Sequence, residues 1–288
     1  MEKNNIFESS LYKHIETIRK NFDAVNTRFS KVHLAAEMVC NLLDQLFSNE
    51  YKTDHDKLSD VCVKMMLFGV YHSWTYSYIL TAAAISDIGL ISLRRAIEFT
   101  CYIAKTHKSD ARAKIWRDQT SDSAAQKKFK SIYNVPQAYF NDKYHHLREL
   151  LVCHDVISTT ATHANFDMIG PKWVASKNDL LLNMSFQDRA TDIPLMVGST
   201  LTAGNVILES LIATLNDSLF YSEAFKESLN GLRIMFREAR VELASDQYKN
   251  NLPNELIDMI QNGVKTGNMD EYFEKLKSRY EIKTSDKK

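Results

Sequence analysis

Residues Leu11–Leu46 read LYKHIETIRKNFDAVNTRFSKVHLAAEMVCNLLDQL and decide the fold class. Their apolar side chains recur at alternating steps of four and three residues, which is the a/d spacing of a helix that packs lengthwise on another helix. These positions are Leu11, Ile15, Ile18, Phe22, Val25, Phe29, Val32, Ala36, Val39, Leu43 and Leu46. A single helix over this span would be roughly 55 Å long. It either packs along another long helix of the same chain, which we favour, or forms a seam between two copies.

The rest of the chain continues the helical pattern, because its 288 residues include only eight glycines and four prolines. Further helices are predicted over residues 58–84, 88–105, 194–220 and 223–245, and another begins at Pro136. Residues 180–186 alternate as a short strand would. We therefore predict an all-α multi-helix bundle with at most one short β-hairpin. The bundle domain covers residues 1–250, and short C-terminal helices and a tail follow over residues 251–288.

Composition narrows the classes of function. The formal net charge is zero, so no global field attracts nucleic acid or an anionic membrane. The four cysteines are scattered and include no CxxC pair, which favours free thiols in a reducing compartment. No basic and apolar secretory leader is visible at the N-terminus. The apolar window over residues 61–85 carries a lysine, a histidine and three tyrosines, so we expect a buried helix and a cytoplasmic protein that does not use a membrane.

The helix predicted over residues 88–105 carries charges on an otherwise apolar surface. Its centre, LISLRRAIEFTCYIA, is apolar on every face apart from Arg94, Arg95 and Glu98. Buried charges need partners, and one acid cannot satisfy two guanidinium groups. We therefore predict that Arg94, Arg95 or both share a buried polar cluster with Glu98 and either His154 or His163. The alternative is that one arginine extends to the solvent.

A locally basic stretch follows. Residues 105–130 contain eight Lys or Arg against three Asp. Such a run is commonly a solvated helix, but it is also the one place where a polyanion could dock, with Trp116 and Phe129 between the cations.

Histidines concentrate between Tyr144 and Phe166, where four of the nine occur: His145, His146, His154 and His163. They have no i, i+4 helical pair, so the spacing does not favour a metal site, and no metal or other cofactor is predicted. The stripe that contains Leu147, Leu151 and His154 directs His154 toward the core.

Five residues separate Arg148 from His154. This spacing resembles the R-x4-6-H motif of the HEPN superfamily. These small helical proteins include metal-independent ribonucleases of toxin–antitoxin and abortive-infection (phage-defence) systems. The resemblance implies a helical bundle, usually dimeric, in which Arg148 holds the scissile phosphate and His154 is a general base or acid. The sequence departs from the family at Glu149, where a neutral polar residue is commoner. A 3.6-residue period also turns Arg148 about 120° from His154.

A looser likeness covers more of the chain. A helix with Arg94 and Glu98 is followed by a helix that begins with a tyrosine, and then by a histidine with an asparagine. This order is similar to that of uncharacterised all-helical bacterial families that are grouped near HEPN proteins. The residues that carry it are Arg94, Glu98, Tyr144, Ser158, His163 and Asn165. It implies a shared fold and a shared polar pocket but no established activity.

Two functions from different classes fit these patterns. The first is an RNA-binding protein or metal-independent ribonuclease, with RNA as the partner. Its expected catalytic residues are Arg148, His154 and His163, and its expected binding residues are Arg94, Arg95, Glu98, Tyr144, His145 and Asn165. The second is a non-enzymatic interaction protein that uses the seam from Leu11 to Leu46 to hold a second copy or a partner protein.

Overall fold

A computed structural model describes residues 10–160, 173–175, 182–184 and 193–244, together with residues 274, 277 and 278. The helices are α1 (Ser10–Arg28), α2 (Ser30–Gln45), α3 (Leu58–Ala82), α4 (Ser86–Thr106), α5 (Asp110–Arg117), α6 (Ser123–Tyr133), α7 (Arg148–Thr160), α8 (Ile193–Leu215) and α9 (Glu223–Leu243). Strands β1 (Trp173–Ala175) and β2 (Leu182–Met184) pair antiparallel. The predicted all-α bundle with one short hairpin is confirmed. Of the predicted C-terminal unit, residues 251–288, only those last three positions are described.

The seam helix is divided in two, so the prediction of one uninterrupted helix is wrong. Phe29 lies between α1 and α2 with a non-helical φ of −116° and ψ of 58°. The carboxylate of Glu242 in α9 then accepts hydrogen bonds from the backbone N–H groups of Lys31 (3.0 Å) and Val32 (3.1 Å). A carboxylate on the first free N–H groups stabilises a helix start. A new helix therefore begins at Ser30, held by a residue distant in sequence.

The seam packs within its own chain from Val25 onward, as we favoured. Its members from Phe29 to Leu46 are at most 2% exposed. Most of this surface lies against α9 and α8. Near the N-terminus of α1, by contrast, Tyr12 is 64% and Ile15 is 54% exposed. The core therefore uses the α2 half of the seam.

Helices α3 and α4 form an antiparallel hairpin that packs on α8. At the crossing of α3 and α8, the indole N–H of Trp74 donates to the carbonyl oxygen of Thr200 at 3.2 Å. A Cβ atom at Gly204 would stand only 2.3 Å from that indole nitrogen. Glycine at this position therefore permits the two helices to approach closely around a fully buried tryptophan.

Helix α8 meets the length and composition of a membrane span, with a mean hydropathy of 1.4 over its most apolar window. Of that window, 56% is buried inside the bundle. The core helix of a soluble protein meets the same criterion of length and hydropathy. The apolar window at residues 61–85, which the sequence singles out, corresponds to most of α3 and the turn that follows it and is not the one that meets this criterion.

The helix predicted from Pro136 begins later than expected. Two 3-10 segments, Gln137–Tyr139 and Asp142–Leu147, precede α7, and Asn141 between them is extended. The rings of Tyr139 and Tyr144 pack edge to face at 5.2 Å. Tyr144 and His145 therefore lie outside α7, whereas the predicted stripe of Leu147, Leu151 and His154 is buried as expected.

Candidate functional site

The predicted polar cluster is confirmed for Arg94, Glu98 and His154. Arg94 and Glu98 lie one turn apart on α4, and their Nε and Oε1 atoms are 3.0 Å apart. His154 reaches them from α7, with its Nε2 atom 3.1 Å from Glu98 Oε1. The histidine side chain is only 4% exposed, whereas Arg94 (32%) and Glu98 (27%) keep some access to solvent. We call these three residues the buried cluster, after the buried side chain of His154.

The Nε2 atom of His154 lies within hydrogen-bond distance of both other members of the buried cluster. Its Nε2 atom is also 3.3 Å from Arg94 Nε, which can only donate. Nε2 therefore either accepts from Arg94 Nε–H or donates to Glu98 Oε1, according to the tautomer of the ring. The Ser158 hydroxyl, 3.5 Å from Nδ1, donates to the backbone carbonyl of His154 at 2.6 Å, so its proton is not directed at the ring.

Glu98 stays ionised below its ordinary range. Burial raises the pKa of its carboxyl, but the hydrogen bonds and charges of His154 and Arg94 outweigh burial, and the net shift is downward from 4.5. The buried cluster is therefore an ion pair reinforced by a histidine, and it joins α4 to α7.

The other predicted residues that the structure describes are not brought into this cluster. Arg148 lies at the start of α7, a rise of about 9 Å from His154 along the helix and roughly 120° around it, and the hydrogen bonds of His154 go to Arg94, Glu98 and Ser158. Arg95 and His145 are exposed. His163 and Asn165 lie outside the described residues.

A second site, which we call the polar pocket, opens where α4 ends. Its volume is about 450 Å³. Side chains from the end of α4, the turn into α5, the 3-10 segment before α7 and the end of α8 line it. They are Ala104, His107, Lys108, Ser109, Arg112, Lys143, Tyr144, His146, Ala213 and Thr214. Of the predicted binding residues that the structure describes, Tyr144 lies here and the others do not.

The turn after α4 places two of these residues. Lys108 has a φ of 60°, in the left-handed region that favours glycine just after a helix. The backbone N–H of Ser109 donates to the Thr106 carbonyl at 2.9 Å and closes the turn. A lysine held in this conformation costs about 1 kcal/mol relative to glycine. The residue at this strained position brings a positive charge to the polar pocket.

Arg112 is held by neutral oxygens. One of its NH groups, Nη1, donates to the backbone carbonyl of Lys105 at 3.1 Å and to the Tyr144 hydroxyl at 3.2 Å. Within the described part of the chain, no Asp or Glu lines the polar pocket. The charges of Arg112 and Lys143 are therefore not neutralised inside it, although Lys108 reaches Asp217 at its exposed edge, 2.9 Å away.

Two histidines add donors that depend on protonation. Both ring nitrogens of His107 are buried and make no hydrogen bond to any described residue. Burial lowers the pKa of His107, the charge of Lys108 lowers it further, and Asp60 and Asp217 oppose this shift in part. Burial likewise lowers the pKa of His146, whose Nε2 atom is 2.9 Å from the Thr214 hydroxyl.

Lys105 lies behind the polar pocket and supports it. Its ammonium group is 4.3 Å from the centre of the Tyr139 ring and 5.5 Å from that of Tyr144. Burial and the charge of Arg112 lower the pKa of this amine to about 8. These contacts fix the Tyr144 ring whose hydroxyl holds Arg112.

The basic stretch forms α5 and α6. Its three acids are used locally: Asp110 accepts from the Ser59 N–H at the start of α3, Asp118 pairs with Arg117, and Asp122 caps α6. Lys114, Lys127, Lys128 and Lys130 are exposed. The two aromatic residues between these cations are half-buried: Phe129 stacks on Tyr133 at 5.0 Å, and Trp116 packs against the core.

Sequence reasoning missed His107, Lys108, Arg112 and Lys143 as members of one site. The signal was present, since the basic stretch begins with KTHKSDAR at the end of a predicted helix. The basic stretch does not show that Lys143 and His146, from a later segment, line the same pocket. The histidine-rich segment is instead divided between two sites, which α4 separates by roughly 13 Å from Glu98 to His107.

No protein-family model, no curated protein and no solved structure matches this chain. The HEPN resemblance of Arg148 and His154 therefore stays a prediction. Among the described residues, no group of three His, Cys, Asp or Glu side chains is placed to hold a metal ion.

Proposed function

We propose that the protein binds RNA and that the polar pocket receives one of its phosphate groups. The observation that carries this proposal is a pocket into which Lys108, Arg112 and Lys143 bring positive charge and which no described carboxylate lines. Phosphate oxygens accept hydrogen bonds from ammonium and guanidinium groups, and these charge-assisted bonds are the strong ones. The ring nitrogens of His107, which have no hydrogen-bond partner among the described residues, add polar atoms beside these charges.

The surroundings of the pocket favour a polyanion over a small phosphate compound. The exposed lysines of α5 and α6 continue the positive surface beyond the turn that carries Lys108. A chain of phosphates can contact such a surface and the pocket together, whereas a single phosphate fills the pocket alone. The formal net charge is zero, so binding depends on this local patch.

Fluorescence anisotropy with a labelled single-stranded RNA tests the proposal. The double variant Lys108→Gln with Lys143→Gln removes two charges from the pocket. We expect affinity to fall about 10- to 100-fold at low salt, and the slope of log K against log salt to decrease by roughly 1.4, about 0.7 for each lost phosphate contact. The matched control is Arg233→Gln with Arg237→Gln on α9, which changes the net charge equally at exposed positions. Equal affinity of the two double variants would contradict the proposal.

Metal-independent RNA cleavage is a second candidate function, favoured by the contact of His154 with Glu98. A carboxylate that holds one ring nitrogen orients a histidine for proton transfer through the other. RNA binding takes precedence because the His154 side chain is 4% exposed. Incubation of RNA with wild type, His154→Ala and His163→Ala in EDTA tests cleavage. Activity that disappears in either folded variant supports it, and activity that both variants keep assigns cleavage to other residues.

A further inference from the structure

The polar pocket carries two positive charges that no described carboxylate neutralises. Three cations line it, but the Lys108 ammonium group pairs with the Asp217 carboxylate at 2.9 Å. The charges of Arg112 and Lys143 remain, because no Asp or Glu of the described chain lines the pocket and the oxygens that hold Arg112 are neutral. A ligand that complements the pocket therefore carries about two negative charges.

The histidines of the pocket do not add to this charge near neutral pH. Burial lowers the pKa of His107 and of His146 below the ordinary 6.5, so both rings are neutral at pH 7. The ammonium group of Lys105 donates to the Ile132 carbonyl oxygen and does not line the pocket. The count of two positive charges therefore holds at pH 7.

An RNA strand contains two kinds of phosphate, and they differ in charge. A phosphodiester inside the strand carries one negative charge. A phosphomonoester at a strand end carries about 1.5 to 2 negative charges at pH 7 and presents three strong acceptor oxygens. The monoester therefore matches the charge of the pocket, whereas a diester leaves one cation without a partner.

The shape of the pocket also suits a strand end. Its inner side is closed by the buried ring of Tyr144, and Tyr139 and Lys105 pack against that ring. The side chains of Lys108 and Lys143 are exposed, so the pocket opens to the solvent on their side. An internal phosphate has RNA chain on both sides, but a terminal phosphate has it on one side only. A recess with a closed inner side therefore accommodates the terminal phosphate more easily.

The volume of the pocket and the surface beside it fit the rest of the strand. The volume of about 450 Å³ is in the range of pockets that hold a small molecule, so there is room for the terminal nucleotide together with its phosphate. The side chains of Ser109 and Thr214 add hydroxyl groups to the lining. Helix α5 begins two residues after Lys108, and the exposed lysines of α5 and α6 can contact the internal phosphates that follow.

We propose that the polar pocket binds the terminal phosphomonoester of an RNA strand. This inference rests on the proposed function, in which the pocket receives an RNA phosphate, and it specifies which phosphate that is. A 5′ phosphate and a 3′ phosphate share this chemistry, so the experiment includes both.

Competition binding tests the inference. One single-stranded RNA sequence is prepared with hydroxyl groups at both ends, with a 5′ phosphate and with a 3′ phosphate, and each form displaces the same internally labelled RNA from the protein. We expect at least one phosphorylated form to bind about 10-fold or more tightly than the hydroxyl form at pH 7, because hydrogen bonds between charged groups contribute at least that factor. The variant Lys108→Gln with Lys143→Gln should reduce this ratio to below about 3-fold, since the additional phosphate then acts only through its general charge.

The matched control is Lys127→Gln with Lys128→Gln on α6, which removes the same charge from the basic surface outside the pocket. It should weaken the binding of all three RNAs alike and keep the ratio between them. All four lysines are exposed, so circular dichroism should show that both variants fold.

The outcomes separate this inference from the proposed function. Equal affinity of wild type for the three RNAs overturns the inference, and the proposed function stands if the pocket variant still weakens all three. A ratio that the pocket variant keeps, or that the α6 variant loses, assigns the terminal phosphate to another surface and also overturns the inference. Failure of wild type to bind any of the three RNAs overturns both proposals.

Discussion

Lys108 has a strained backbone conformation, which lowers the stability of the fold, and it brings a positive charge to the polar pocket. A substitution by glycine affects the free energy of unfolding and the RNA affinity in opposite directions. Lys108→Gly removes the left-handed strain, worth about 1 kcal/mol, and loses an exposed ion pair with Asp217, worth a few tenths. We therefore expect the free energy of unfolding in urea to rise by about 0.5 kcal/mol. RNA affinity should fall, because the charge is lost.

Lys108→Gln is the matched comparison for that prediction. It removes the same charge and keeps a side chain with a φ of 60°, so RNA affinity should fall equally without a gain in stability. A glycine variant that is less stable than wild type would show that the turn is not strained.

At the level of helices, the start of α2 depends on a residue from the other end of the chain. The Glu242 carboxylate holds the Lys31 and Val32 N–H groups at about 3 Å. Glu242→Ala leaves both without this acceptor, and a lost helix cap costs about 1 kcal/mol. Thermal or urea unfolding should show that decrease. Glu227→Ala, which removes an exposed glutamate of the same helix, should change stability by less than about 0.5 kcal/mol.

The apolar repeat predicts where most helices lie, but it does not predict boundaries that depend on contacts between residues distant in sequence. Helices α3, α4, α8 and α9 follow the apolar repeat, and their predicted bounds agree with the structure to within a few residues. The break at Phe29 leaves the apolar repeat uninterrupted, so the repeat does not reveal it. The residue that holds the new helix start, Glu242, lies more than 200 residues away from Val32. The apolar repeat does not show the late start of α7 either, because the segment before it is held by the packing of Tyr144 on Tyr139.

The two candidate sites differ in how far local sequence determines them. The buried cluster was predictable because charges on an apolar helix require partners, and Glu98 with Arg94 and His154 meets that requirement. The polar pocket was not predictable as a unit, because three separate stretches of the chain, residues 104–112, 143–146 and 213–214, assemble it. Periodicity identifies which side chains face inward, but it does not identify which loops meet.

In the whole molecule, the buried cluster connects the α3/α4 hairpin to α7, so its charge should appear in global stability. Glu98→Gln keeps the shape of the side chain and removes its charge. Because Arg94 and Glu98 are about one-third exposed, the cost at pH 7 should be about 2 kcal/mol, below the 3 to 5 kcal/mol of a fully buried pair.

The pH dependence of that difference is set by the pKa of Glu98. The folded protein holds it below 4.5, so the folded state binds fewer protons than the unfolded state as pH falls. The stabilisation is therefore complete above about pH 5 and is lost as pH falls through the lowered pKa. Urea unfolding of wild type and Glu98→Gln should give curves that are separated at pH 7 and converge in acid. A separation that is the same at both pH values would show that the charge of Glu98 does not stabilise the fold.

The two candidate sites should contribute to stability independently. Adding Lys108→Gly should change the free energy of unfolding of wild type and of Glu98→Gln equally, to within about 0.5 kcal/mol. The reason is that the two sites share no described contact and lie more than 10 Å apart along α4.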